Sequence, residues 1–142
     1  MKRCQQPTFE RARISDVLSF AQGFKRQGYM FVNINATTCA DHCDVLYVFR
    51  ASEGAGELVG RTVSVKPGDQ VPSITGFYPA AFVFENETHD LFGVDFTGIN
   101  IDYEGNFYKL SVAYPMNPKA SAKGSAQDAG DSAGVDIDRG EA

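Results

Sequence analysis

The apolar positions of this chain change period along its length, and each change marks an element. Ile14, Val17, Leu18, Ala21 and Phe24 recur at spacings of three and four, which places them on one face of a helix. Ser15 offers a hydroxyl cap and Asp16 lies near the positive end of the dipole. Lys25 and Arg26 close the last turn, and Gly28 can take the left-handed position beyond it. The pattern predicts a helix over residues 15–27, with Gly23 a small cost inside it. From residue 29 to 35 the period falls to two, with Met30, Val32 and Ile34 on one side, as in a strand. Residues 44–50 form a second short apolar run, and residues 58–65 a third, with Val59, Val63 and Val65 on one face. Small residues at 51–56 supply a hairpin loop, and Lys66-Pro67-Gly68-Asp69 is a turn. Residues 70–75 are a short extended piece, and Pro72 confines it to an edge or a strand end. Residues 1–13 mix charge and Gln with few apolar positions and read as surface.

A second helix is predicted within residues 77–93, the densest aromatic stretch. Pro79 suits its first turn, where a missing N–H costs nothing, and Gly93 suits its C-cap. Phe77, Ala81, Phe84, Thr88 and Leu91 share a stripe, and Phe84 and Leu91 are expected to face the sheet. Glu85 and His89 are four apart and meet on another stripe. Residues 94–96 are extended, and residues 107–114 alternate again. From Asn117 the chain is rich in Ala, Gly, Ser and Asp, with Val135 and Ile137 its large apolar residues. Such a tail buries too little surface to offset its ordering entropy, so it is disordered alone or held by a partner. The expected organisation is one domain over residues 1–116 and a tail over 117–142. Successive strands with short loops, a leading helix and a second helix give an α+β fold on an antiparallel sheet.

Composition narrows the function without naming it. The net charge of -5 argues against a nucleic-acid partner, which needs clustered Lys and Arg. No apolar run approaches the length of a membrane span, and residues 1–10 carry no secretory pattern, so cytoplasmic residence is the default. Three cysteines, Cys4, Cys39 and Cys43, leave one over in any disulfide scheme. Cys39, His42 and Cys43 could supply three soft ligands to zinc. A structural zinc commonly takes two spaced pairs, and a second pair is missing. An iron–sulfur cluster normally needs four cysteines. The expectation is ordinary turn thiols and no cofactor or metal in this chain.

Glu85, Glu87, His89 and Asp90 are the one constellation that could be catalytic. Acid–base chemistry needs two groups of different pKa converging on one pocket. On a helix these four point in three directions. A metallopeptidase-type helix needs two histidines four apart, and only His89 is present here. The sequence holds neither a glycine-rich phosphate loop nor a nucleophile elbow. It reads as a binding or assembly module.

Residues 80–96, Ala-Ala-Phe-Val-Phe-Glu-Asn-Glu-Thr-His-Asp-Leu-Phe-Gly-Val-Asp-Phe, resemble the signature of the complex I 30 kDa subunit family, the C-type subunits of NADH:quinone oxidoreductase. Glu85, Glu87, Asp90, Phe92, Gly93, Phe96 and Gly98 match its pattern. The upstream order of helix, Gly28-Tyr29, strand and hairpin, then Val71-Pro72-Ser73-Ile74-Thr75, is also similar. Asn86 stands where the family usually has Arg, which implies the loss of an interface ion pair. The quinone-reducing members continue with Gly-His-Pro-Asp-Leu-Arg-Arg, where this chain reads Gly98-Ile99-Asn100-Ile101-Asp102-Tyr103-Glu104. The lost continuation and the short chain look more like the small D-type subunit of Ech-type energy-converting membrane-bound [NiFe] hydrogenases. The resemblance implies a non-catalytic structural subunit with no cofactor of its own. It would dock on a large [NiFe] hydrogenase-type subunit beside a small iron–sulfur subunit, and these partners would carry the NiFe centre and the clusters. The complex would be ferredoxin-linked and ion-translocating, with this chain peripheral on the cytoplasmic side of the membrane. Tyr78, Phe82, Glu85, Glu87, His89, Asp90 and Phe92 are the expected partner interface, aromatic anchors ringed by carboxylates. The alternatives are the equivalent subunit of a quinone-type complex I relative, and a stand-alone binding or metal-dependent protein.

Overall fold

The structure is a computed structural model, and it describes residues 8–52, 54, 56–107 and 113–117. The tail beyond Asn117, Cys4, and most of the alternating run at 107–114 lie outside the described residues. Strand β1 (Thr8–Ala12) leads through a 3-10 turn (Ile14–Asp16) into helix α1 (Val17–Arg26). Three strands follow, β2 (Met30–Thr38), β3 (Cys43–Arg50) and β4 (Leu58–Val65). Then come β5 (Gln70–Pro72), a 3-10 turn (Pro79–Ala81), helix α2 (Phe82–Phe92) and β6 (Asp95–Thr97).

The fold is α+β, and its main sheet is mixed, in the order β1-β4-β3-β2. β2, β3 and β4 form the expected antiparallel meander. β1 pairs parallel with β4, Thr8 opposite Val59 through Ala12 opposite Val63. The reading of residues 1–13 as plain surface is therefore corrected for Thr8–Ala12. Its charges are those of an edge strand, which tolerates them because among the described residues one side of it meets no further strand. Arg11 bonds Asp44 of β3 through both guanidinium nitrogens at 3.2 Å, and Glu10 lies 3.6 Å from Arg61 of β4. β5 and β6 make a second, two-stranded parallel ribbon, with α2 as the crossover between them.

α1 covers one face of the main sheet. Val17, Ala21 and Phe24 are its buried residues, as the three-four spacing predicts for them, while Leu18 of the same expected stripe is exposed. They meet Val45, Tyr47, Phe49 and Val63, the inward-pointing set of β3 and β4. Phe24 stacks on Phe49 at 4.7 Å, and Phe20 meets Tyr47 edge-on at 5.3 Å. Asp16, not Ser15, caps the entry to this region, accepting from the Arg13 N–H at 3.0 Å. Gly28, with φ at 80°, makes the left-handed exit.

The second layer on this face is α2, which packs against β2. Phe84 sets its ring edge-on to Phe31 at 5.6 Å, as its expected sheet-facing position requires. Leu91 is half-buried. Tyr78 locks the start of the helix: its hydroxyl donates to the Tyr29 carbonyl at 2.8 Å, and its ring touches Phe31 and Phe49. Gly93 ends α2 with φ at 76°, and its N–H donates to His89 O at 2.8 Å.

Candidate functional site

The buried face of α2 is polar. Its buried residues are Glu85, Asn86, Thr88 and Asp90, in a helix whose flanks are aromatic. A buried polar group costs free energy unless it is hydrogen-bonded, and each of these has a partner.

Glu85 is fully enclosed. Its Oε1 accepts the Ser73 hydroxyl at 2.6 Å and its Oε2 accepts the Ile74 N–H at 2.9 Å. Ser73 Oγ in turn accepts the Thr75 N–H at 3.0 Å and lies 2.7 Å from Thr75 Oγ1. Thr75 Oγ1 accepts the Asn100 N–H at 3.0 Å. One carboxylate thus organises the chain after β5 and, through two hydroxyls, the chain after β6. Burial pushes the Glu85 carboxyl up to about 7, against the opposing pull of its Ser73 and Ile74 bonds. Tyr47 is pushed well above its ordinary value, by burial first and by the Glu85 charge second.

Asn86 performs the same task one step along the helix. Its Nδ2 donates to Ile101 O at 2.8 Å, and its Oδ1 accepts the Tyr103 N–H at 3.0 Å. That pair pins residues 101–103 to α2. Thr88 turns its hydroxyl back to Phe84 O at 2.7 Å within the helix. At the helix end, His89 Nδ1 meets Asp90 Oδ1 at 3.0 Å, and its Nε2 lies 3.6 Å from Asp95. Its ring meets Tyr114 edge-on at 5.8 Å. The last carbonyls are also used: Leu91 O accepts the Met116 N–H at 2.8 Å and Phe92 O accepts Asn117 Nδ2 at 2.9 Å. Helix C-terminal carbonyls lack internal partners, and here loop donors supply them.

The seven expected interface residues therefore divide. Tyr78, Glu85 and Asp90 are turned inward, with 6%, 0% and 3% exposure, and offer a partner almost no surface. Phe82, Glu87, His89 and Phe92 keep part of theirs. Glu85 and His89, four apart, do not converge on one another: Glu85 is bound to Ser73 and Ile74, and His89 to Asp90. The latches to residues 73–75 and 101–103 left no sequence signal, because their partners are mainly backbone groups far along the chain.

The thiols separate in the same way. Cys43 opens β3 with its side chain inward, 4% exposed, where burial pushes its thiol up. Cys39 and His42 lie in the β2–β3 turn. His42 is raised, chiefly by the Asp41 carboxylate bonded to Nδ1 at 2.7 Å. Cys43 thus does not join Cys39 and His42 as the sequence grouping supposed, because strand alternation sends it to the opposite face.

No described helix is long and apolar enough to cross a membrane. The solved structure of the membrane-bound sulfane sulfur reductase, an archaeal respiratory membrane complex, contains a chain with a TM-score of 0.71 to this one. The match covers 99% of this chain and 85% of that one at 18% identity, and it shows a shared fold. The C-type subunit of NADH-quinone oxidoreductase from Ruegeria pomeroyi is 38% identical over 82 residues. Its namesakes from Sinorhizobium medicae and Rhizobium meliloti are each 34% identical over 82 residues. Each alignment takes in 54% of this chain and 40% of the relative's length. The family described as respiratory-chain NADH dehydrogenase, 30 Kd subunit, matches residues 8–105, the sheet, both helices and the latched loops together, and the chain belongs to that family.

Proposed function

We propose that this chain is a non-catalytic structural subunit of a complex I-like respiratory complex, held at the membrane through its partners. The observation that carries this reading is the use of the signature residues. Glu85, Asn86 and Asp90 hold the chain's own loops and helix end, so among the described residues these signature positions are spent on the fold rather than turned outward. Such a helix serves as a rigid docking element. Its exposed remainder, Phe82, Glu87, His89 and Phe92, is the surface through which it meets the large subunit.

In the finer reading, the complex is a ferredoxin-linked, energy-converting [NiFe] hydrogenase of the Ech type, and this chain is its small D-type subunit. The large subunit then carries the NiFe centre, a small partner carries iron–sulfur clusters, and the assembly couples electron flow to ion translocation, with this chain on the cytoplasmic side. The departure from Gly-His-Pro-Asp-Leu-Arg-Arg at residues 98–104 supports this reading. A quinone-type relative is the second reading, favoured by the names of the curated relatives.

Affinity purification of the tagged chain from its native membranes tests both levels. Co-purification of a large subunit bearing paired Cys-x-x-Cys nickel ligands, with hydrogen evolution from reduced ferredoxin, is expected. Quinone reduction by a nickel-free complex overturns the hydrogenase reading and leaves the structural one standing. A monomeric chain that turns over a substrate without partners overturns the structural reading itself.

A further inference from the structure

We propose that the β2–β3 turn is a divalent-cation site, with zinc the best fit, whose protein ligands are Cys39 Sγ, His42 Nε2 and a carboxylate oxygen of Asp44. Among the described residues these three form a group whose ligand atoms all lie within 4.8 Å of one another. Asp44 takes the place that Cys43 holds in the sequence motif. Cys43 points into the core, with Asn117 Nδ2 3.4 Å from its sulfur. Its neighbour Asp44 points to the other side of β3, where the turn returns Cys39 and His42.

The spacing is near that of a tetrahedral ion, with Cys39 and His42 each beside a different oxygen of Asp44. Zinc–sulfur and zinc–nitrogen or –oxygen bonds of about 2.3 and 2.0 Å place sulfur and oxygen ligands about 3.5 Å apart. The same bond lengths set nitrogen and oxygen ligands about 3.3 Å apart. Cys39 Sγ lies 3.8 Å from Asp44 Oδ2, and His42 Nε2 lies 3.1 Å from Asp44 Oδ1. The imidazole is already oriented. Asp41 Oδ1 holds Nδ1 at 2.7 Å, and a carboxylate on the far nitrogen is the usual support of a metal-bound histidine. The backbone is fixed as well: the Cys39 N–H donates to His42 O at 2.8 Å, closing the turn between the paired residues Thr38 and Cys43.

Thiolate, neutral imidazole and carboxylate together suit a borderline cation and disfavour calcium or magnesium, which take oxygen ligands. The two anionic ligands balance a divalent charge. Three protein ligands leave the fourth position to water. Arg11 competes for both Asp44 oxygens at 3.2 Å. It is 68% exposed, so the pair is weak and its side chain can leave one oxygen to the ion.

The test uses the full chain, reduced, stripped with a chelator, and titrated with Co2+ and then Zn2+. One equivalent of Co2+ should bind with a thiolate-to-cobalt charge-transfer absorption that Zn2+ removes. Cys39→Ser should abolish that absorption, while Cys4→Ser keeps it. His42→Gln and Asp44→Asn should each weaken Zn2+ by about tenfold or more, and Asp41→Ala by about tenfold. Arg11→Gln should tighten it by about two- to fivefold, the worth of an exposed ion pair. Circular dichroism establishes that every variant is folded. A folded chain without the absorption, an absorption that survives Cys39→Ser, or affinity indifferent to both His42→Gln and Asp44→Asn would overturn the assignment.

Discussion

Glu85→Gln should leave stability unchanged in acid and raise it at alkaline pH. Glu85 is fully buried and its carboxyl is pushed up from 4.5 to about 7. Below pH 4.5 the group is neutral in folded and unfolded chains alike. Between 4.5 and 7 the unfolded chain releases its proton first, so the folded chain binds more protons and stability falls as pH rises. Above pH 7 the loss is complete. At 1.36 kcal/mol per unit, the displacement amounts to about 3 kcal/mol. Glutamine is isosteric and keeps both contacts. Its carbonyl accepts the Ile74 N–H, and its amide donates to Ser73 Oγ, whose hydroxyl then turns to Thr75 Oγ1. Urea unfolding at about pH 4 and about pH 8, followed by circular dichroism, measures the difference between the two chains and so cancels every other titrating group. Tyr47 does not interfere, because its own shift is upward, away from this range. The expected result is near-equality at the lower pH and an advantage of about 3 kcal/mol for the variant at the higher. Parallel pH profiles would show that burial does not shift the carboxyl, and a variant weaker than the parent in alkali would show that Glu85 is held as a stabilising anion; either refutes the reasoning.

Three further outcomes follow from single side chains. Tyr47 is wholly buried and its hydroxyl has no hydrogen-bond partner among the described residues, so Tyr47→Phe should be neutral or stabilising by about 1 kcal/mol in thermal or urea unfolding. Phe49 is fully buried among Phe20, Phe24, Phe31 and Tyr78. Phe49→Ala should cost about 3 to 5 kcal/mol, read in the same assay. Gly93 ends α2 at a φ of 76°, and Gly93→Val should cost about 1 to 2 kcal/mol as a lowered melting temperature.

What the sequence made legible follows from periodicity. α1, β3 and β4 carry an apolar stripe against a single core, and the structure has them and β2 within a few residues of expectation. The expected face of β2 is corrected: Met30 and Val32 are exposed while Phe31 and Ile34 turn inward, because the register shifts between Phe31 and Asn33. β1 was hidden because its short edge segment is filled by Glu10, Arg11 and a lone Phe9. The helix α2 was legible as an element from Pro79 and Gly93. Its facing was not, because its inward side is polar and is satisfied largely by backbone groups at residues 74, 101 and 103. Periodicity registers apolar faces only. The turn cluster was half legible: Cys39 and His42 stand out by type, but the exchange of Cys43 for Asp44 depends on where β3 begins.

The two departures from the family pattern, Asn86 and residues 98–104, are a single feature in three dimensions. They lie apart in sequence, yet Asn86 Nδ2 and Oδ1 hold residues 101 and 103 at 2.8 and 3.0 Å. An asparagine, with one donor and one acceptor end, matches a carbonyl and an N–H offered side by side. A guanidinium has no acceptor and could not take the Tyr103 N–H. Where the resemblance implies an arginine, Asn86 therefore supplies the latch that this loop needs. Asn86→Arg should release that loop, and the buried, 2% exposed position would have to open to accommodate the charge. Losing two bonds at a buried site is worth about 1 to 3 kcal/mol locally. Amide hydrogen exchange should therefore accelerate at 101–105 by about fivefold to a hundredfold while α1 and β3 keep their protection. Unchanged exchange at 101–105 in Asn86→Arg would mean the loop is held by other contacts, and would separate the two departures again.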